Sequence, residues 1–149
     1  MDSLRPAGEW PSFESFVTLL FYRDLGDAFV RECGGRGDGG ADLILMWQEW
    51  SPKQNEWVNS RPVIVQCKHT KEPRKAANRV GLSSVREMRA VALDHYAAET
   101  YIVTNGGFTR GAIEYSLLHD VRLIGRERLR RIFTEALRLR DAVQFAGSP

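Results

Sequence analysis

Cysteine is scarce: Cys33 and Cys67 are the only two in 149 residues. Two thiols are too few for a disulfide framework or a thiolate-built zinc site, so a reducing, cytoplasmic setting is expected. Long apolar runs are missing too. Leu19-Leu20-Phe21-Tyr22 is representative, far short of the roughly 20 residues that a membrane-spanning helix requires, and no membrane partner is expected. The first residues, Met1-Asp2-Ser3-Leu4-Arg5-Pro6, lack the charged-then-apolar layout of a secretion signal. Nor is there a large excess of one charge: 21 Lys and Arg against 19 Asp and Glu leave +2, which does not by itself demand a polyanionic partner. Within the basic set lysine is rare, 4 against 17 arginines. The planar arginine fork pairs with phosphate and carboxylate alike, so this bias suits either a polyanion or surface ion pairs. What is present, 43% hydrophobic and 27% charged residues, is the balance of one globular domain spanning 1–149 with its core at about 12–140.

Periodicity gives an order of elements. Phe13, Phe16, Val17 and Leu20 recur at helical spacing after Pro11-Ser12, predicting a helix over 12–25 that stops at Gly26. A strand at 28–33, a glycine-rich run at 34–40 and an apolar strand at 41–47 follow. Residues 51–55 read as a turn flanked by Trp50 and Trp57, and the chain returns through a β-branched strand at 62–68, which pairs with 41–47 as an antiparallel hairpin with a long tip. A polar connection covers 71–79. A helix is expected over 81–98, with Ser84 and Glu87 as a capping box and Val85, Met88, Ala92 and Tyr96 on one face. A short buried strand at 100–104 ends at Asn105-Gly106-Gly107. Thr109 caps a helix to about 118, a strand covers 121–124, and a last helix runs over 126–140. This is an α/β chain: a mixed sheet covered by helices on both faces, with a parallel right-handed crossover across 99–124.

The chemistry gathers at Asp42, Gln66 and Lys68. Strand alternation points Gln66 and Lys68 to one face and Cys67 to the other. A lysine in so apolar a strand is costly to bury unless it meets an anion, and Asp42, at the start of the paired strand, is the nearest source. A carboxylate, an amide carbonyl and the backbone carbonyl of Cys67 are hard oxygen donors that suit Mg²⁺ or Mn²⁺. Lys68 beside such an ion would orient and help deprotonate an attacking water, or stabilise a pentavalent phosphate. On residue types alone, a structural Asp–Lys pair at a strand end explains the same three residues.

The run Gly34-Gly35-Arg36-Gly37-Asp38-Gly39-Gly40-Ala41-Asp42-Leu43, with Val65-Gln66-Cys67-Lys68, resembles the catalytic domain of Mrr-type restriction endonucleases, a branch of the PD-(D/E)xK nuclease superfamily. Phe13-Glu14 and Val103-Thr104-Asn105-Gly106-Gly107-Phe108-Thr109 agree with it. The likeness covers about residues 13–129, and its α-β-β-β-α-β core matches the order above. It implies a restriction-endonuclease-like fold, a Mg²⁺- or Mn²⁺-dependent endonuclease acting on DNA, and a role in defence against foreign or modified DNA. By position, Asp42 matches the metal-binding aspartate, Gln66 the glutamine that replaces glutamate in this branch, Lys68 the catalytic lysine, and Glu14 an acidic residue supporting the metal. Gln66 gives the ion one negative charge fewer than glutamate, so weaker metal binding is expected unless Glu14 or Asp38 contributes. Such enzymes usually carry a separate recognition domain, so the resemblance leaves three expectations open: a catalytic domain served by a separate recognition domain, a stand-alone nuclease, or an effector switched on by an activating partner. Cutting both strands calls for two sites, hence a homodimer. The rival readings are a catalytically weak DNA-binding module of the same fold and a structure-specific junction resolvase.

Other features have two readings each. The glycine run either brings amides to a phosphate or is a turn that places Asp42 and exposes Arg36 and Asp38 for nucleic-acid contacts. Asn105-Gly106-Gly107 presents amides to DNA or makes a tight strand-to-helix turn. His69 touches phosphate or sits at the solvent edge. Trp50 and Trp57 stack on bases or pack across strands. The arginines of 126–140 grip phosphates or form a solvated face. Cys67 is expected in the core.

Overall fold

Leu43-Ile44-Leu45-Met46 and Val63-Ile64-Val65 are apolar toward both sides, and strands of that kind need cover on both faces. The computed structural model describes residues 13–25, 29–32 and 41–147. In chain order these form α1 (Phe13–Leu25), β1 (Phe29–Glu32), β2 (Leu43–Met46), β3 (Gln48–Ser51), β4 (Glu56–Asn59), β5 (Val63–Lys68), α2 (Leu82–Asp94), β6 (Glu99–Thr104), α3 (Arg110–His119), β7 (Arg122–Ile124) and α4 (Arg126–Ala146). Among the described residues, five strands make a sheet in the order β1-β2-β5-β6-β7. Pairing is antiparallel from β1 to β5 and parallel from β5 to β7. The mixed sheet, the antiparallel β2–β5 pair and the parallel β6–β7 pair are those expected from the sequence.

Alternation along the strands divides the core in two. One face carries Leu43, Leu45, Val63, Val65 and Cys67 against Val17 and Leu20 of α1 and Leu129 of α4. The other carries Ile44, Ile64 and Ile102 against Val85 and Met88 of α2 and Ala112 of α3. Leu43, Leu45, Ile64, Met88 and Ile102 are fully buried, and each such side chain contributes roughly 1.5–3 kcal/mol relative to exposure. Cys67 is a buried free thiol, as expected. Cys33, Gly26 and the glycine run lie outside the described residues.

Local expectations are corrected at several points. The capping box at Ser84 and Glu87 does not form: α2 begins earlier, with Gly81 as N-cap and no side-chain cap bond, so Ser84 is already inside the helix. That helix also ends at Asp94, before the expected 98. Tyr96 takes a left-handed φ of 52°, with Tyr96 N–H bonded to the Leu93 carbonyl and Ala97 N–H to that of Ala92, the Schellman stop that glycine usually signals. Tyr96 is therefore 79% exposed rather than on the buried face. The tip at 51–55 belongs to a second ladder, β3 against β4, with Trp50 opposite Trp57. Their rings meet edge-to-face at 5.8 Å, the cross-strand packing reading. At the other end of the chain α4 continues past 140 to Ala146. Thr109 caps α3 as expected, its side chain accepting the Ala112 N–H.

Candidate active site

Because β2 runs against β5, while β5, β6 and β7 run together, one end of the sheet collects the start of β2 and the finish of the other three. The carboxyl ends of parallel strands in an open α/β sheet are where ligands dock. Asp42, Gln66, Lys68, Asn105 and Arg126 all come to this end. The Trp50–Trp57 arm leaves β2 at its far end, so it projects away from them.

Among the described residues, two bonds tie Asp42 to β5. Its N–H donates to the Val65 carbonyl at 2.9 Å, and its Oδ2 accepts the Cys67 N–H at 2.6 Å. The carboxylate thus continues the β2–β5 ladder beyond its last backbone pair, Leu43 with Val65. Charge-assisted bonds of this kind are about twice as strong as neutral ones. In an extended strand a residue's N–H and C=O face the same neighbour, so the Cys67 carbonyl lies on the Asp42 side of β5.

Gln66 is 4% exposed and shares the Ile64 face of β5. Lys68, two residues on, is half-buried at the strand end. Lys68 stands where the strand emerges, and this partial exposure lowers the cost that burial without an anion would place on its ammonium. His69 follows and is exposed, with its ring 5.4 Å from that of Phe13. This contact brings the first turn of α1, which carries Glu14, to the end of β5. Arg36 and Asp38 lie outside the described residues.

Asn105 acts as a clasp. Its Oδ1 accepts the Thr70 N–H at 2.9 Å and its Nδ2 donates to the Thr70 carbonyl at 2.7 Å, so one side chain imitates a strand partner for the chain leaving β5. Behind it, the buried Thr104 hydroxyl accepts the Gly106 N–H at 3.1 Å. A Cβ on Gly106 would approach the Pro73 carbonyl to 3.4 Å. The Asn105-Gly106-Gly107 segment is therefore a tight turn packed on the β5–α2 loop, the second of its two sequence readings.

The donors around Asp42 are a carboxylate, an amide and a backbone carbonyl, all oxygen, which fits a hydrated hard cation and not zinc. Among the described residues there is no group of three or more His, Cys, Asp and Glu able to hold a metal. Sequence reasoning treated 71–79 as a bare polar connection and missed how firmly it is tied to the site. What the sequence does show there is charge: three of the chain's four lysines, Lys68, Lys71 and Lys75, fall within eight residues.

The mixed sheet flanked by helices is that of a restriction-endonuclease-like fold. The Mrr catalytic family model, described as restriction endonuclease, matches residues 7–133, and the chain belongs to that family. Two solved structures share the fold. The DNA modification-dependent restriction endonuclease AspBHI aligns with TM-score 0.62 and 20% identity over 83% of this chain and 30% of its own. The MspJI restriction endonuclease, solved in complex with a 27-mer oligonucleotide, aligns with TM-score 0.55 and 22% identity over 80% of this chain and 26% of its own. The chain thus spans under a third of either protein. No curated protein matches its sequence.

Proposed function

We propose that this chain is the catalytic domain of a divalent-metal-dependent DNA endonuclease that hydrolyses phosphodiester bonds. The carrying observation is the bond from Cys67 N–H to Asp42 Oδ2, which fixes the acid of β2 beside Gln66 and Lys68 in a chain of the restriction endonuclease family. Asp42, Gln66 and the Cys67 carbonyl, supported by Glu14, are the residues to hold Mg²⁺ or Mn²⁺. Such an ion, when bound, supplies positive charge to the scissile phosphate and makes water more acidic. Lys68 extends its ammonium from the same strand face as Gln66, where it orients the attacking water and offsets charge building on the phosphate. Water attacks phosphorus and gives up a proton to solvent, the phosphorus–oxygen bond to the sugar breaks, and the released sugar oxygen takes up a proton from solvent.

A similar fold in a DNA modification-dependent enzyme supports a role in defence against foreign or modified DNA. Cutting both strands of a duplex needs two sites, which a two-fold homodimer provides; a monomer by light scattering, free and on DNA, would count against that arrangement.

The test is cleavage of plasmid and single-stranded DNA with Mg²⁺, Mn²⁺ or EDTA, with Lys68→Ala and Asp42→Ala in parallel. Metal-dependent cutting lost in both variants is the expected result. Binding without cutting by the intact chain, unchanged by EDTA and by Lys68→Ala, would replace the nuclease with a DNA-binding module.

A further inference from the structure

We propose that the β5–α2 loop and the start of α4 form a clamp for the phosphate backbone of duplex DNA, with Arg74 and Arg126 as its two jaws and Lys71 at its approach. The proposal rests on the nuclease reading above and says where the substrate lies on the protein.

Charge is the first argument. Residues 69–81 contain Lys71, Arg74, Lys75 and Arg79 against one acid, Glu72, so this loop carries +3 while the whole chain carries +2. Lys71, Arg74, Lys75 and Arg79 are all exposed. The one acid is occupied: Glu72 Oε2 sits 3.3 Å from Lys75 Nζ. Arg74 and Arg126 form no ion pair among the described residues, yet they line one open depression of about 510 Å³ together with Glu72, Pro73 and Lys75.

The second argument is position on the helices. α3 and α4 both begin at the site end of the sheet, directly after β6 and β7, and α2 begins where the loop ends. Helix N-termini carry positive partial charge and favour acids in the first turn. The first turns of α2 and α3 hold none. α4 opens on Arg126 and Arg128, with Glu127 between them. A cation at the positive end of a helix costs stability unless an anion is shared with it, and a phosphate is such an anion.

The third argument is that the loop is preorganised. Asn105 grips Thr70 from both sides, the Glu72 N–H donates to Thr70 Oγ1, and Asn78 Nδ2 donates to the Glu72 carbonyl. Gly106 packs on Pro73 and its carbonyl accepts the Arg126 N–H at 2.9 Å. The same turn therefore holds both jaws, and the loop departs from Lys68, so a backbone gripped there runs past the proposed reaction centre.

The experiment measures binding of a short duplex by fluorescence anisotropy in EDTA across a salt series, with Mg²⁺ cleavage assayed in parallel. For Arg74→Ala/Arg126→Ala, losing two phosphate contacts lowers the slope of log K against log salt by about 1.8, while Arg89→Ala, at the opposite end of the sheet, leaves it unchanged. Arg74→Lys/Arg126→Lys keeps most of the slope, because the charge remains. Unchanged affinity and slope in the double alanine variant would overturn the clamp; cleavage by the intact protein would then leave the nuclease reading standing. Absence of salt-dependent binding by the intact protein would overturn the clamp as well, and absence of Mg²⁺ cleavage in the parallel assay would take the nuclease reading with it.

Discussion

The Asp42 carboxylate accepts the amide N–H of Cys67 at 2.6 Å, so the acid proposed for the metal is also the last link between β2 and β5. Asp42→Asn keeps an oxygen that can accept this bond but removes the charge. It is expected to abolish cleavage while leaving urea stability close to that of the parent. Asp42→Ala removes both, and loss of a charged hydrogen bond costs about 1.5–3 kcal/mol. Equal destabilisation of the two variants in urea unfolding would show that the bond contributes little.

Lys68 ends β5 half-buried. Lys68→Ala is expected to lower the cleavage rate roughly 10²–10⁴-fold, the range for a proton-transfer or charge-stabilising side chain. Folding stability and duplex affinity in EDTA should change little. Cleavage within a few fold of the parent would remove Lys68 from the reaction.

Asn105 bonds both backbone groups of Thr70. Asn105→Ala leaves them without that partner and is expected to cost about 1–3 kcal/mol. Asn105→Asp keeps the acceptor and loses the donor, so it should fall between. Hydrogen exchange at the Thr70 amide reads the clasp directly: its protection should drop in the alanine variant and survive in the aspartate variant.

Tyr101 donates its phenol O–H to Glu99 Oε2 at 2.8 Å and accepts from Arg122 at 3.0 Å. Burial raises its pKa above the usual phenol value, the Glu99 carboxylate adds to the rise, and Arg122 opposes it. The folded protein thus keeps this proton to higher pH than the unfolded chain. The stability it contributes is complete below the ordinary value of 10.0 and is lost as pH rises through the folded value. Tyr101→Phe should show a smaller fall in urea midpoint on going from about pH 9 to about pH 11. An identical fall in both proteins would refute the assignment.

The sheet was legible because its strands are written plainly: Val63-Ile64-Val65 and Leu43-Ile44-Leu45 have no other way to hide both faces. Asp42, Gln66 and Lys68 were legible for the opposite reason, as polar residues where such strands should stay apolar. The stop of α2 was hidden because Tyr96, and no glycine, takes the left-handed position. The role of 71–79 was hidden because its order comes from Asn105 and Gly106, some 35 residues away in the chain, and no local pattern encodes a partner at that distance.

Gln66 is 4% exposed, and an amide tolerates that position far better than a carboxylate would without a counter-charge. Gln66→Glu therefore separates the metal reading from a purely structural one. In EDTA the variant should be less stable than the parent, because a buried acid must either ionise at a cost or take up a proton. With Mg²⁺ the added charge sits beside the cation, so the variant should regain stability and reach half-maximal cleavage at lower Mg²⁺ than the parent. The decisive quantity is the difference in melting temperature with and without Mg²⁺, which should be larger for Gln66→Glu than for the parent. If Mg²⁺ stabilises both proteins equally, Gln66 lies off the metal, and Asp42 must be completed by other residues.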